Sequence, residues 1–170
     1  MTLLSIADNV AYETKGENPA TIAGNTTPGA TQLLRLINKV GTRLMRLYDW
    51  KILETESTFT ASGNEIMVTA ANMPSDFDRF IPETFWDRDS ENLVTGPISP
   101  VEWGGLKART YTDINNIKFI HRGGAISALP VVGVGVNLAF EYISNEWCTD
   151  TTGVTGKTAM GVDTDVSLID

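Results

Sequence analysis

Residues 73–89 read MPSDFDRFIPETFWDRD, and five carboxylates fall within them: Asp76, Asp78, Glu83, Asp87 and Asp89. Acids this dense suit a divalent cation or an acid/base pair. A calcium loop alternates oxygen ligands in this way, but it also needs a glycine at its sharp turn and a distal bidentate glutamate. SDFDRFIPE has neither in place, and no lysine or histidine of a two-metal nuclease can be placed beside it. The competing reading is a structural loop. Asp76 and Asp78 accept backbone N–H groups in a turn, Arg79 and Arg88 pair with neighbouring carboxylates, and Phe77, Phe80, Ile81 and Trp86 bury the inner side. A metal-dependent hydrolase using Asp76, Asp78 and Asp87 stands as the enzymatic alternative. The preferred expectation is no enzyme, no metal and no cofactor.

The other reactive types lead nowhere specific. His121 is the only histidine, so any Ser-His-Asp or Cys-His arrangement would have to use it. It sits in an expected strand beside a tight turn and reads as a surface or interface side chain. Cys148 is the only cysteine, which leaves no intramolecular disulfide and no CxxC metal pair. Nothing resembles GxSxG. The run TGVTGKTAMG holds Gly156, Lys157 and Thr158, but a phosphate loop needs glycine where Thr151 stands. GGAISALPVVGVGV lacks the GxGxxG that opens a helix. The four tryptophans, Trp50, Trp86, Trp103 and Trp147, sit at element ends and read as core anchors. A base-stacking platform would instead alternate aromatics with Lys and Arg along strands.

The chain has 170 residues, 42% apolar, enough for a domain with a sizeable core. Its formal net charge of −8 does not suit a generic DNA binder. An acidic wall would, however, let DNA slide through a passage without sticking. MTLLSIADNV lacks the basic region and long apolar run of a signal peptide, and no stretch approaches a membrane span.

The elements that must carry these residues follow from periodicity. Residues 3–13 suit a short helix capped by Ser5. KGENPATIAGNTTPGA is rich in breakers and reads as a linker. The strongest helix is expected from Ala30 to Tyr48, with Thr31 as N-cap and Leu33, Ile37, Val40, Leu44 and Leu47 as its core stripe. Arg35, Lys39, Arg43 and Arg46 recur on another face. That face reads either as a solvated surface or as a positive surface for an acidic partner subunit. DNA backbone contact ranks last, because four charges give modest affinity.

KILETESTFTA and EIMVTA then read as a hairpin around Ser62-Gly63-Asn64, and RFIPETFW as an edge strand broken at Pro82. Pro100 opens a short helix over VEWGGLKAR. IKFIH and AISAL form a hairpin around Arg122-Gly123-Gly124. In VNLAFEYIS, Leu138, Phe140 and Tyr142 share one face. Residues 149–170 are Thr-, Gly- and Asp-rich and read as an extended arm. The fold class expected is α+β. N-terminal amphipathic helices occupy 1–50, an antiparallel β-rich part with one short helix near 100–109 occupies 51–148, and the extended C-terminal arm occupies 149–170.

The order LYDWKIL, TFT, MPSDFDRFI, GPISPVEWGGLKA and LAFEYISNEW, over roughly residues 30–148, resembles the head-to-tail adaptor (connector) proteins of tailed bacteriophages. The weight lies in the order and spacing of these pieces. The resemblance implies a non-enzymatic virion protein of the neck or tail, assembled in the host cytoplasm. It implies a homo-oligomeric ring, generally a dodecamer, that docks on the portal protein and receives a tail nozzle or tail tube protein. Double-stranded DNA would pass through its lumen without sequence recognition, and no membrane is involved. Related sequences generally continue past a DTDxSLI-like segment into a further helix that these residues do not include, so the portal-docking residues stay open. Another neck or tail-completion protein, such as a tail terminator, is the nearest alternative. Within a ring, Arg35, Lys39, Arg43 and Arg46 are expected to face Asp76, Asp78, Asp87 and Asp89 of a neighbouring copy.

Overall fold

The computed structural model describes residues 1–14 and 20–169, so the first part of the expected linker and Asp170 lie outside the described residues. The elements are α1 (Leu3–Thr14), α2 (Pro28–Leu47), β1 (Glu54–Thr60), β2 (Ile66–Val68), β3 (Phe77–Phe80), β4 (Trp86–Asp87) and β5 (Asn92–Leu93). There follow α3 (Pro100–Ala108), β6 (Lys118–Arg122), β7 (Ala125–Leu129), β8 (Asn137–Ser144), β9 (Cys148–Thr149), β10 (Gly156–Lys157) and β11 (Val166–Ser167). This is an α+β chain whose strands pair antiparallel. No helix among the described residues is long and apolar enough to cross a membrane. Contacts divide the chain into two compact units, Met1–Glu54 with Ile143–Asp170, and Thr55–Tyr142. That division differs from the expected 1–50, 51–148 and 149–170.

In the unit Thr55–Tyr142, one sheet has the order β1-β8-β4-β5, with β3 also pairing β8; the other has the order β2-β7-β6. All six phenylalanines gather between these strands. Phe85, Phe119 and Phe140 are buried, Phe59, Phe77 and Phe80 pack against them, and ring centroids lie 4.7–6.3 Å apart. Burial of each such ring stabilises by ~1.5–3 kcal/mol, and edge-to-face pairs add ~0.5–1.5 kcal/mol. Leu138, Phe140 and Tyr142 of β8 are buried, and so are Ala139 and Ile143 on its other face.

Local signals hold where the turn chemistry is explicit. Gly123 and Gly124 take φ of 58° and 77°, the left-handed pair that a two-residue hairpin requires, and they join β6 to β7 in register. Ser99 caps α3 by accepting from the backbone N–H of Glu102 at 3.2 Å, with Pro100 in the first turn. Pairing over longer range departs from the expectation. β2 does not form a hairpin with β1. It pairs with β7, and β1 joins the sheet of β8. Between them Gly63, at φ 76°, lies so close to Val134 that a Cβ there would meet the valine methyl at 2.2 Å, and the chain leaves one sheet for the other. RFIPETFW is two strands, β3 and β4, separated by Pro82 rather than one strand containing it.

The other unit is built on α1 and α2. α1 is capped by Thr2 rather than Ser5: the Ser5 N–H donates to Thr2 Oγ1 at 3.3 Å and the Ser5 hydroxyl to the Thr2 carbonyl at 2.8 Å. α2 starts at Pro28 after Thr27, two residues earlier than expected, because proline at the first helical position needs no N–H partner.

The expected extended arm is not extended over 149–169. β9 pairs with both β10 and β11 in a small three-stranded sheet, and Met160 and Ile169 are buried. Asn38 holds this segment to α2 through its amide, donating to the Met160 carbonyl at 3.0 Å and accepting from the Met160 N–H at 2.8 Å. Asp163 Oδ1 accepts from the N–H groups of Ile22 and Ala23 at 3.0 and 2.7 Å. The segment has few large apolar residues, so backbone and carboxylate hydrogen bonds supplement the burial of Met160 and Ile169.

Candidate functional site

The four aspartates of the 73–89 stretch go to four different places. Asp76 accepts from the Tyr142 hydroxyl at 2.9 Å. Asp78 pairs with Arg79 at 2.9 Å. Asp87 is only 3% exposed, and its Oδ1 accepts from the N–H groups of Asp89 and Ser90, both at 3.0 Å, closing the turn between β4 and β5. Asp89 accepts from the backbone N–H of Asn137 at 2.8 Å and from its side-chain amide at 3.1 Å, and these bonds hold its carboxyl below the usual carboxylate range. Among the described residues no three His, Cys, Asp or Glu side chains come together as metal ligands would. The structural reading expects Asp76 and Asp78 to accept the backbone N–H groups; these go instead to Asp87 and Asp89, while a tyrosine hydroxyl holds Asp76 and Arg88 pairs with the sequence-distant Glu56. Trp86, expected to bury the inner side, is 44% exposed.

Trp86 stands in an open cleft of about 530 Å³ lined by Glu56, Glu83, Arg88, Glu91 and Glu141. Arg88 pairs with Glu56, whereas the Glu83, Glu91 and Glu141 side chains are exposed. Glu83 and Glu91 hold left-handed backbone, with φ of 62° and 56°, a conformation that costs an L-residue ~1–2 kcal/mol. The result is an indole surrounded by carboxylates.

α2 carries the second unusual surface. The expected core stripe was Leu33, Ile37, Val40, Leu44 and Leu47; of these only Ile37 is buried, together with Ala30, Gly41 and Met45. Gly41 is buried because the Trp147 ring lies over it, so close that a Cβ would come within 2.4 Å of the ring. The helix is thereby rotated toward its small residues. This leaves Leu36, Val40, Leu44 and Leu47 at 51%, 44%, 40% and 56% exposure. These recur at four, four and three residues, so they form one stripe. Arg35, Lys39, Arg43 and Arg46, all exposed, form the stripe beside it. α2 contains no acidic residue. Along the apolar stripe runs a cleft of about 340 Å³ whose wall includes Ile6, Val10, Leu36, Val40, Leu44 and Trp147.

The nucleophile candidates are locked away from chemistry. His121 is half-buried rather than on the surface, with Phe77 and Phe80 at 5.5 and 5.4 Å, and its buried Nε2 has no hydrogen-bond partner among the described residues. Burial lowers its pKa and favours the neutral ring. Cys148 is fully buried, its thiol donates to the Lys157 carbonyl at 3.2 Å, and burial pushes its pKa up to about 11. A thiol held protonated in this way is a poor nucleophile. Lys157, the lysine of the phosphate-loop-like run, instead pairs with buried Asp165 at 2.5 Å.

Sequence reasoning thus found the basic stripe of α2 but missed the acidic surface with a hydrophobic centre, Trp86 with Glu83, Glu91 and Glu141. A signal was present: Trp86 stands among Glu83, Arg88 and Glu91 within nine residues of sequence. No protein-family model matches the chain, and no curated protein matches it either.

Proposed function

We propose that the chain is a structural virion protein, an adaptor that assembles as a ring between the portal and the tail nozzle or tube and continues the DNA channel. Its resemblance to head-to-tail adaptors over residues 30–148 supports this reading. One structural observation carries it: the paired stripes of α2. Four large aliphatic side chains, 40–56% exposed at helical spacing beside four cations, form the face of a helix suited to a protein partner. Assembly would cover the apolar stripe and place the cations at its rim. An acidic chain of net charge −8 also suits a passage that DNA traverses without adhering.

The test is particle mass and electron micrographs of the purified chain, alone and mixed with a portal ring. Rings, or annular density added to the portal, are the expected result. A chain that stays monomeric in solution and ignores the portal refutes the reading.

A further inference from the structure

α2 presents an apolar stripe flanked by cations, and the Trp86 cleft presents an apolar ring flanked by carboxylates. Both are exposed on every copy. We propose that they are the two halves of one contact: α2 of one copy docks in the Trp86 cleft of the next. Lys39 and Arg43 meet Glu83, Glu91 and Glu141, and the Leu44–Leu47 edge of the apolar stripe meets the indole. This inference rests on the self-assembly in the proposed function and specifies its contact.

The charges decide the occupant. Of the cleft's four glutamates, Glu56 is paired with Arg88, which leaves Glu83, Glu91 and Glu141 for an outside partner. Arg35, Lys39 and Arg43 have no ion-pair partner among the described residues. Lys39 and Arg43 are therefore available to the three carboxylates, with Arg35 one turn further along the helix. Along α2, Lys39 and Arg43 are one turn apart, about 6 Å, a spacing that suits carboxylates on two sides of a single aromatic ring. Guanidinium groups also stack on indole faces, and tryptophan and arginine are the side chains enriched in interface hot spots. Duplex DNA fits α2 less well, because it offers nothing to the four exposed aliphatic side chains and is repelled by the rest of the chain. Because the two patches differ, the contact is heterologous: each copy uses its helix on one neighbour and its cleft on another, and such a contact propagates into a ring when the rotation closes.

Charge reversal tests it. K39E/R43E reverses the helix, E83K/E141K reverses the cleft, and W86A removes the apolar centre. All these positions are surface-exposed, and circular dichroism melts check that each variant folds. Sedimentation velocity across a concentration range, with and without the portal, reads assembly. Each charge variant alone is expected to assemble at least ~10-fold more weakly, a loss expected for removing close interfacial charge pairs. An equimolar mixture of the two recovers assembly, since the reversed helix then matches the reversed cleft. W86A weakens assembly without salt dependence. If folded K39E/R43E and E83K/E141K each assemble like the wild type, the pairing is wrong while the ring stands. A wild type that is monomeric both alone and on the portal removes both readings. Loss of duplex-DNA binding in K39E/R43E with unchanged self-association reassigns α2 to nucleic acid and also overturns the pairing.

Discussion

Asp165→Ala measures whether the Thr- and Gly-rich C-terminal segment is part of the fold. Asp165 is 1% exposed. Its Oδ2 accepts from the backbone N–H groups of Gly161 and Val162 at 2.7 and 2.9 Å, and its Oδ1 from Lys157 Nζ at 2.5 Å. Its own carbonyl accepts from the Leu3 N–H at 2.9 Å, at the start of α1. Burial raises the carboxyl's pKa, but the Lys157 ammonium and the two backbone N–H bonds lower it by more, so the net direction is down. Alanine removes all three hydrogen bonds to the ionised acceptor; the two from backbone N–H groups alone, at about 1.5 kcal/mol each, contribute about 3 kcal/mol together. For a chain of this length that corresponds to a fall in melting temperature of roughly 6–12 °C. The pH dependence gives a second reading. Because the folded pKa lies below 3.8, the unfolded chain takes up the proton first as pH falls. The contribution of Asp165 is therefore fully present above that value and lost below it, and Asp165→Ala removes that part of the acid-induced loss. Thermal melts of wild type and variant, at neutral and acidic pH, decide the matter. A variant within about 0.5 kcal/mol of wild type at neutral pH, the range of ordinary surface changes, would refute the argument that carboxylate hydrogen bonds seat residues 149–169.

Gly41→Ala places a methyl within 2.4 Å of the Trp147 ring, which must shift; a loss of about 1–3 kcal/mol is expected despite the better helix propensity of alanine, with a change in tryptophan emission. Tyr142→Phe deletes the hydroxyl that donates to Asp76 and lowers stability by about 1.5 kcal/mol in urea melts; no change would show that Asp76 is hydrated instead. Because His121 has a lowered pKa in the fold, the unfolded chain binds that proton first as pH drops through 6.5, so stability declines below it. His121→Leu is expected to flatten this decline, and an unchanged slope would assign it to other groups. Cys148, buried and with its pKa pushed up to about 11, reacts with a disulfide reagent only on unfolding; fast labelling of the native chain contradicts the burial.

Much of the secondary structure was legible from residues 28–47, 100–108 and 117–144, because there the signal is short-range. Pro100 marks a helix start and Arg122-Gly123-Gly124 supplies the left-handed turn. The surfaces of interest were only half legible. Periodicity placed Arg35, Lys39, Arg43 and Arg46 on one stripe, but it could not say which apolar stripe of α2 would be buried. Two were available, Leu36, Val40, Leu44 and Leu47, or Ala30, Ile37, Gly41 and Met45. The choice went to the small residues because Gly41 admits the Trp147 ring, and that tryptophan is more than a hundred positions away in the chain.

The sequence by itself therefore determined the class of the protein, α+β, the proline that opens α3 and the glycines of the β6–β7 hairpin, since φ preferences act between near neighbours. Only the tertiary structure decided that β2 pairs with β7, that Asp76 meets Tyr142 and Asp89 meets Asn137 while Glu83, Glu91 and Glu141 remain exposed around Trp86, and that residues 149–169 fold. The physical reason is the same in each case. A carboxylate, a glycine or an unpaired strand has no preference of its own among distant partners, and the outcome depends on which N–H groups and rings the completed fold brings within reach.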